Sequence, residues 1–334
     1  MPRNPNAEPK PFVLVDIPSA APERKPATTH EKFSGLTGRL ELTFTVVSEY
    51  LFVGSGAYEF DPHARGDRPD VWYTFYRRNG QICVPGTSIK GAIRTIVEAI
   101  SNSCVSQIRR PREQVRSNAH QLCRFKDENS PLCPACRLFG TTGYRGRVHF
   151  SDFLLQSPEK VEIVKIGELW EPKRVDPSKR RFYEQKKFEP VKDLRPQSGF
   201  RFVEAVPKGT KFQGILAFEN LSEAELGLIL RGLGWTTKDE AKEKKVVIVF
   251  TPKIGGAKPR CFGSVKFSPV RLRLWGGTIA NLLVPPEIKG PEMLPFLFCC
   301  LQESREKGLL HSESWETLVQ GFQPKGTSCP KELY

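Results

Sequence analysis

No stretch of this 334-residue chain approaches the roughly 20 consecutive apolar residues that a membrane-spanning helix needs. That predicts no membrane partner. The segment from Met1 to Thr28 is rich in proline and charge and lacks the apolar stretch of a secretory signal, which points to a cytoplasmic protein. No tandem repeat of fixed period runs through the chain, so solenoids and propellers are excluded. Acidic residues are in deficit, 37 Asp and Glu against 51 Lys and Arg, for a formal net charge of +14. Such an excess suits a polyanionic partner, because each neutralised phosphate releases condensed counterions; the alternative is a solvated basic surface. Nine cysteines are present. In a reducing compartment they are expected as free thiols or metal ligands, not as a disulfide frame.

Prolines 2, 5, 9, 11, 18, 22 and 26 make residues 1–36 an irregular arm, denied a regular helix or a central strand. The first clear element is a half-buried strand from Arg39 to Val47, where Leu40, Leu42, Phe44 and Val46 alternate with polar residues. A loop is expected at Gly54-Ser55-Gly56, a strand from Val71 to Tyr76, a hairpin turn at Asn79-Gly80, and a strand again at Ile82 to Val84. A helix follows, with Thr87 or Ser88 as its cap and Ile89, Ile93, Val97 and Ile100 as its apolar stripe. Further strands are expected at Gly146–Phe153, Phe202–Val206, Phe212–Phe218, Val246–Phe250 and Ser264–Arg273. Ser222 to Glu225 opens a capped helix running to Leu233, and Met293 to Glu303 is a short apolar helix before a polar end. The order of elements predicts an α+β fold with a mainly antiparallel sheet, not a doubly wound one.

The segment Val84-Pro85-Gly86-Thr87-Ser88-Ile89-Lys90-Gly91-Ala92-Ile93-Arg94 bears on function most directly. A helix start offers unpaired N–H groups and the positive end of a dipole, where phosphate binds well. Gly86 allows close approach, Thr87 and Ser88 add hydroxyls, and Lys90 and Arg94 share a helix face. An ordinary capped helix with a solvated basic face is the competing reading. It is not a P-loop, since the second glycine and the Lys-Ser/Thr pair are missing from the required places.

This segment resembles the Pro-Gly-Ser-Ser-Leu-Lys-Gly signature of the RAMP superfamily of CRISPR proteins. Leu51 to Gly56 resembles the loop after that family's first strand. Cys136 to Gly140 and Gly146 to Asp152 resemble its Leu-Phe-Gly and following strand, and Val206 to Phe212 its Pro-x-Gly-Thr-x-Phe. Gly255 to Gly263 is similar to its glycine-rich loop, with Cys261 where a glycine is usual. The resemblance spans roughly residues 37–285 and is closest to the backbone subunits of type III effector complexes. It implies a modified ferredoxin-like (RRM-like) palm, a β-ribbon thumb about 156–200, a zinc-binding insertion about 101–137 and a C-terminal extension at 286–334. It implies binding of guide RNA (crRNA) and complementary target RNA among other effector subunits. By resemblance, Gly54, Ser55, Thr87, Ser88, Lys90 and Arg94 hold the guide backbone, joined by Arg174 in the thumb and by Lys258 and Arg260 in the glycine-rich loop.

Backbone subunits that cut target RNA carry an aspartate before the strand leading to the Pro-Gly signature, and Asp70 stands in that place. It would act with Mg2+ or another divalent ion, as a metal-dependent endoribonuclease; Asp67 and Asp61 are fallbacks. All three also sit in a turn-rich loop where aspartate is common for local reasons. Related metal-independent enzymes that process guides use a histidine, for which only His63 and His149 qualify. A purely structural or capping subunit is the remaining alternative. In the insertion, His120, Cys123, Cys133 and Cys136 have the spacing of a structural zinc site, with Cys104 as an alternative fourth ligand. Cys83, Cys261, Cys299 and Cys300 are read as core or incidental cysteines. In the thumb region, Lys179-Arg180-Arg181-Phe182-Tyr183 interleaves cations with aromatics, a composition that holds phosphates and stacks on bases, or else a disordered solvated loop.

Overall fold

Alternation of apolar and polar side chains builds the main sheet of the computed structural model, which describes residues 11–106, 118–169, 176–240, 243–276 and 279–330. The first elements are strands β1 (Phe12–Asp16), β2 (Leu36–Val46), β3 (Tyr50–Leu51), β4 (Gly54–Phe60), β5 (Val71–Phe75), β6 (Arg77–Arg78) and β7 (Gln81–Val84), then helix α1 (Gly86–Ile100). After the insertion come α2 (Pro134–Phe139), β8 (Gly140–Thr141), β9 (Tyr144–Arg145), β10 (Val148–Phe150), β11 (Phe153–Leu155), β12 (Glu162–Gly167) and β13 (Lys179–Tyr183). Next are β14 (Phe200–Pro207), β15 (Lys211–Leu221), α3 (Glu223–Gly232), β16 (Trp235–Glu240), β17 (Glu243–Ile248) and β18 (Val265–Trp275). The last are α4 (Ile279–Leu283), β19 (Glu287–Lys289), α5 (Met293–Glu306) and α6 (Ser312–Gly321).

The larger sheet runs β19-β18-β2-β15-β11-β7-β6, with β10 also on β15, and its pairs are antiparallel. Leu40, Leu42, Phe44 and Val46 of β2 are buried, as their alternation predicts. Phe44 stacks on Phe153 and Phe212 and meets Phe267 edge-on. α1, α3 and α5 share this core through Ile93, Val97, Leu226, Leu230, Leu297 and Leu301. Ser222 and Glu225 form the expected reciprocal cap of α3, and the Glu225 carboxylate also receives the buried Arg147 guanidinium through two hydrogen bonds. Asn79 and Gly80 take positive φ, 50° and 78°, the turn their dipeptide implies.

A smaller sheet has the order β12-β14-β5-β4, with β3 pairing to β14, around Val164, Ile166, Phe188, Val203 and Phe262. β5 meets β14 in parallel at Tyr73 and Val203. That short pairing is reinforced by the buried Glu204 carboxylate, which accepts the Phe75 N–H at 2.7 Å and the Arg77 guanidinium at 2.5 and 2.6 Å.

The α+β character with antiparallel sheets agrees with the sequence, but several details differ. Gly54-Ser55-Gly56 opens strand β4 instead of forming a loop. Gly146–Phe153 is broken into β10 and β11 at Ser151 and Asp152, where the Asp152 carboxylate accepts the Gly86 N–H. Segment 156–200 is not one self-paired ribbon: β12 pairs with β14, and β13 with β1 of the N-terminal arm. The arm therefore holds a strand, and Arg24 and Lys25 tie it to the backbone of Ala119 and Leu132 in the insertion. Helix α6 lies where only a polar end is expected, its Leu318 buried.

Candidate nucleic-acid interface and metal centre

α1 buries Ile89, Ile93, Val97 and Ile100 as the stripe predicts. Its start is built differently from expectation. Pro85 occupies the N-cap with no side-chain bond, so Thr87 and Ser88 fall inside the first turn. The Gly86 N–H donates to Asp152 Oδ1 at 3.0 Å, and Arg78 donates to the same carboxylate at 2.7 Å. The Gly86 N–H, then Arg78, outweigh burial and hold the Asp152 carboxyl below the usual range. A Cβ on Gly86 would lie 2.0 Å from the Phe150 carbonyl oxygen. The glycine thus serves the close packing of the helix start on the β10–β11 corner.

Thr87 and Ser88, in the first turn, line a cavity of about 400 Å³. One wall is the α1 face carrying Thr87, Ser88, Gly91 and Thr95. A second is the glycine-rich loop, with Gly255, Gly256, Lys258 and the preceding Lys253. A third is β13, through Arg181, Phe182 and Tyr183, and Gly54 and the apolar Phe322, Ala92, Ile96 and Val53 line the space as well. Gly255 has φ +76° and would place a Cβ 2.1 Å from the Phe52 carbonyl oxygen, so the loop hugs the β3–β4 corner only as glycine.

Two lysines give this cavity its sign. Lys253 is 6% exposed, donates to the Phe262 carbonyl oxygen, and has no ion pair with a described carboxylate. Burial, then the neighbouring Lys258 charge, pushes its pKa down to about 7. Burial lowers Lys258 to about 8. Buried ammonium groups without counter-charge are costly, and an anion between them relieves that cost.

Several residues expected at the RNA do not line this cavity. Arg94 shares a face with Lys90 as expected, but its Nε donates to Glu98 at 2.8 Å and its Nη2 lies 3.7 Å from Cys136 Sγ. Lys90 is also outside the cavity lining; burial, Arg94 and Arg145 depress its pKa. Arg260 is 2% exposed and donates to the carbonyl oxygens of Gly167, Glu168 and Pro330. The Ser55 hydroxyl is engaged with the Thr74 hydroxyl and the Ala57 N–H. Arg174 lies outside the described residues. Lys253, Arg181 and Tyr183 were not singled out by sequence, although Lys253 stands two residues before Gly255 and the other two belong to the basic, aromatic run.

Cys261 keeps the conformation that a glycine would take, φ 65°, and forms a disulfide with Cys329. This corrects the expectation of free thiols: the C-terminal segment crosses the glycine-rich loop and brings Cys329 to it, which sequence spacing does not reveal.

Asp70 lies in the loop between β4 and β5, on the order of 20 Å along the ribbon from Gly54 at the usual strand rise. Its carbonyl accepts the Asp61 N–H, and its side chain is exposed, as is that of Asp67. Asp61 is held by Arg68 at 2.8 Å and by the His63 N–H. His149 is pushed toward the neutral form by burial, Lys90 and Arg145, and its Nε2 is buried without a hydrogen-bond partner.

Among the described residues, one group of three or more converging ligands is found: Cys104, Cys123, Cys133 and Cys136, with sulfurs all within 4.8 Å of one another. Asp61, Asp67 and Asp70 do not converge in this way. The sulfur separations of 3.3 Å (Cys104–Cys136) and 3.5 Å (Cys104–Cys133) approach the about 3.8 Å edge of a tetrahedral Zn–S4 site. All four thiols are buried, and a soft, borderline ion such as zinc fits them. The fourth position thus goes to Cys104, the alternative; His120 turns its Nε2 to Asn102 Oδ1 at 3.0 Å.

A profile of the RAMP superfamily matches residues 43–266. No curated protein matches the chain. The profile spans both sheets' main strands, α1, the glycine-rich loop and well over half of the sequence, and the chain belongs to the RAMP superfamily.

Proposed function

We propose that this protein is a guide-RNA-binding backbone subunit of a type III CRISPR RNA-targeting effector complex, working in the cytoplasm. Its superfamily is that of RNA-binding subunits of CRISPR effector complexes. The observation that carries the finer reading is the cavity lined together by Thr87, Ser88, Gly255, Gly256 and two lysines with no ion pair to a described carboxylate. Hydroxyl-bearing residues and lysines around one space suit a phosphodiester, and Tyr183 and Arg181, both packed on Phe12, suit a stacked base and a second phosphate. In this reading the larger sheet with α1 and α3 is the ferredoxin-like palm, and the smaller sheet, with its β4–β5 ribbon, takes the part of the thumb.

Target cleavage is assigned to Asp70 at the ribbon's loop, where an exposed carboxylate is free to meet a target strand. Mg2+ or another divalent ion would supply Lewis-acid stabilisation of the phosphate and a more acidic water. Asp61 and Asp67 share this loop but do not converge with Asp70 among the described residues, so further ligands would come from RNA and solvent. That same lack of converging carboxylates favours a second reading, a subunit that holds guide and target without cutting. Metal-independent guide processing is the weaker alternative, because His149 is held neutral beside cations and the His63 ring has no acid–base partner among the described contacts.

RNA recovered with the protein from cells carrying a CRISPR locus tests the proposal. A uniform guide-sized species with repeat-derived ends is expected; a random RNA population would overturn it. Cutting of guide precursor by the isolated protein in EDTA would turn the assignment to processing.

A further inference from the structure

Strand β13 separates two features described above. Its buried Arg180 points away from the cavity, while Arg181 and Tyr183 line it. The Arg180 Nη2 donates to the Ser103 carbonyl oxygen at 2.6 Å, and its Nη1 lies 3.6 Å from Glu98 Oε2. Ser103 adjoins Cys104, and its hydroxyl accepts the N–H of Ala135, which sits between Cys133 and Cys136, at 3.1 Å. Glu98, 1% exposed, also receives Arg94 Nε at 2.8 Å and the Ser106 N–H at 3.2 Å, and Arg94 reaches Cys136 Sγ. Two guanidinium groups joined by one carboxylate therefore stand against the four-cysteine cluster.

We propose that Arg94 and Arg180 are the counter-charges of a metal tetrathiolate at Cys104, Cys123, Cys133 and Cys136, and that Arg180 makes occupancy of this centre set the position of the cavity wall. A divalent ion on four thiolates leaves a net charge of about −2, which the two guanidinium groups, sharing the single carboxylate of Glu98, reduce to about −1. Without the ion nothing ties the four sulfurs together, so the Ser103–Cys104 segment whose carbonyl oxygen receives Arg180 loses its anchor. β13, whose backbone pairs with the single strand β1, moves with it. Metal loss thus loosens the wall that presents Arg181 and Tyr183. The RNA half of this inference rests on the cavity reading above; the metal half does not.

The experiment measures zinc affinity by competition with a chromophoric chelator, and single-stranded RNA affinity by fluorescence anisotropy, for the full chain and for Arg94→Gln, Arg180→Gln and Arg181→Gln. Arg94→Gln and Arg180→Gln should each weaken zinc binding by about 10- to 100-fold, as loss of a ligand's supporting contact does. Zinc-saturated Arg180→Gln should also bind RNA more weakly, with its salt dependence unchanged. Arg181→Gln should hold zinc like the wild type while losing about one phosphate contact, about 0.7 in the salt slope. Wild-type zinc affinity in both Arg94→Gln and Arg180→Gln overturns the counter-charge assignment. Wild-type RNA affinity in zinc-saturated Arg180→Gln overturns the coupling. RNA binding by no form of the protein removes the cavity reading, while the zinc comparison still decides the rest.

Discussion

Replacing Lys253 by methionine removes the most buried cation of the cavity while nearly conserving volume. A bound phosphate stabilises the ammonium form, so RNA binding raises the lysine pKa and takes up protons. Affinity should therefore fall as pH rises through the free-protein values, about 7 for Lys253 and about 8 for Lys258. From pH 6 to pH 8 the protonated fraction of Lys253 drops about tenfold and that of Lys258 about twofold. Together they imply about a 20-fold loss of affinity, about 1.8 kcal/mol. In Lys253→Met only about the twofold dependence remains. Its affinity at pH 6 should fall by about 1.5–3 kcal/mol for the lost charged hydrogen bond. Its folding stability should be unchanged or higher, because a buried ammonium with only a carbonyl partner is itself costly. Anisotropy titrations of a labelled single-stranded RNA at constant ionic strength give all three numbers. Wild-type affinity that is flat across this range, or a Lys253→Met protein that keeps the full dependence, would refute the reasoning.

Three further outcomes follow from the geometry. Glu225→Ala strands Arg147, which is 0% exposed, and should cost about 3–5 kcal/mol in denaturant unfolding. The same pair sets an acid limb: burial opposes ionisation of Glu225, but Arg147 and Arg137 outweigh it and lower its pKa, so its stabilisation is present above the unfolded carboxylate value and is lost as pH falls through the lower folded one. Cys104→Ser should reduce bound zinc in elemental analysis while His120→Ala leaves it stoichiometric, since the histidine ring faces Asn102. In an assembled complex, Asp70→Ala should abolish one target cut and leave the guide RNA content unchanged, both read on denaturing gels; persistence of every cut would favour the non-cutting reading.

What could be read from sequence was local. The alternation of Leu40 to Val46, the stripe of α1, the Ser222–Glu225 box and the Asn79-Gly80 turn each depend on residues within a few positions of one another. The zinc ligands were nearly legible, and only the choice between His120 and Cys104 needed the third dimension. The cavity was half legible: Thr87, Ser88, Gly54 and Lys258 came from motifs, but Lys253, Arg181 and Tyr183 join them only because the glycine-rich loop and β13 fold against α1. Arg94 and Arg260 show the two extremes. The i,i+4 spacing of Arg94 and Glu98 on α1 announces their pair, whereas the Gly167 and Pro330 carbonyl oxygens that receive Arg260 lie far from it in sequence. The Cys261–Cys329 pairing was hidden for the same reason.

The central claim is that RNA is held by the Thr87–Ser88 face of α1 with Lys253 and Lys258, and not by the face carrying Lys90 and Arg94. The salt dependence of single-stranded RNA affinity in Lys258→Gln and Lys90→Gln tests it most directly. Lys258→Gln should weaken binding and reduce the slope of log affinity against log salt by about 0.7, while Lys90→Gln matches the wild type. A reduced slope in Lys90→Gln with Lys258→Gln unaffected would contradict the account.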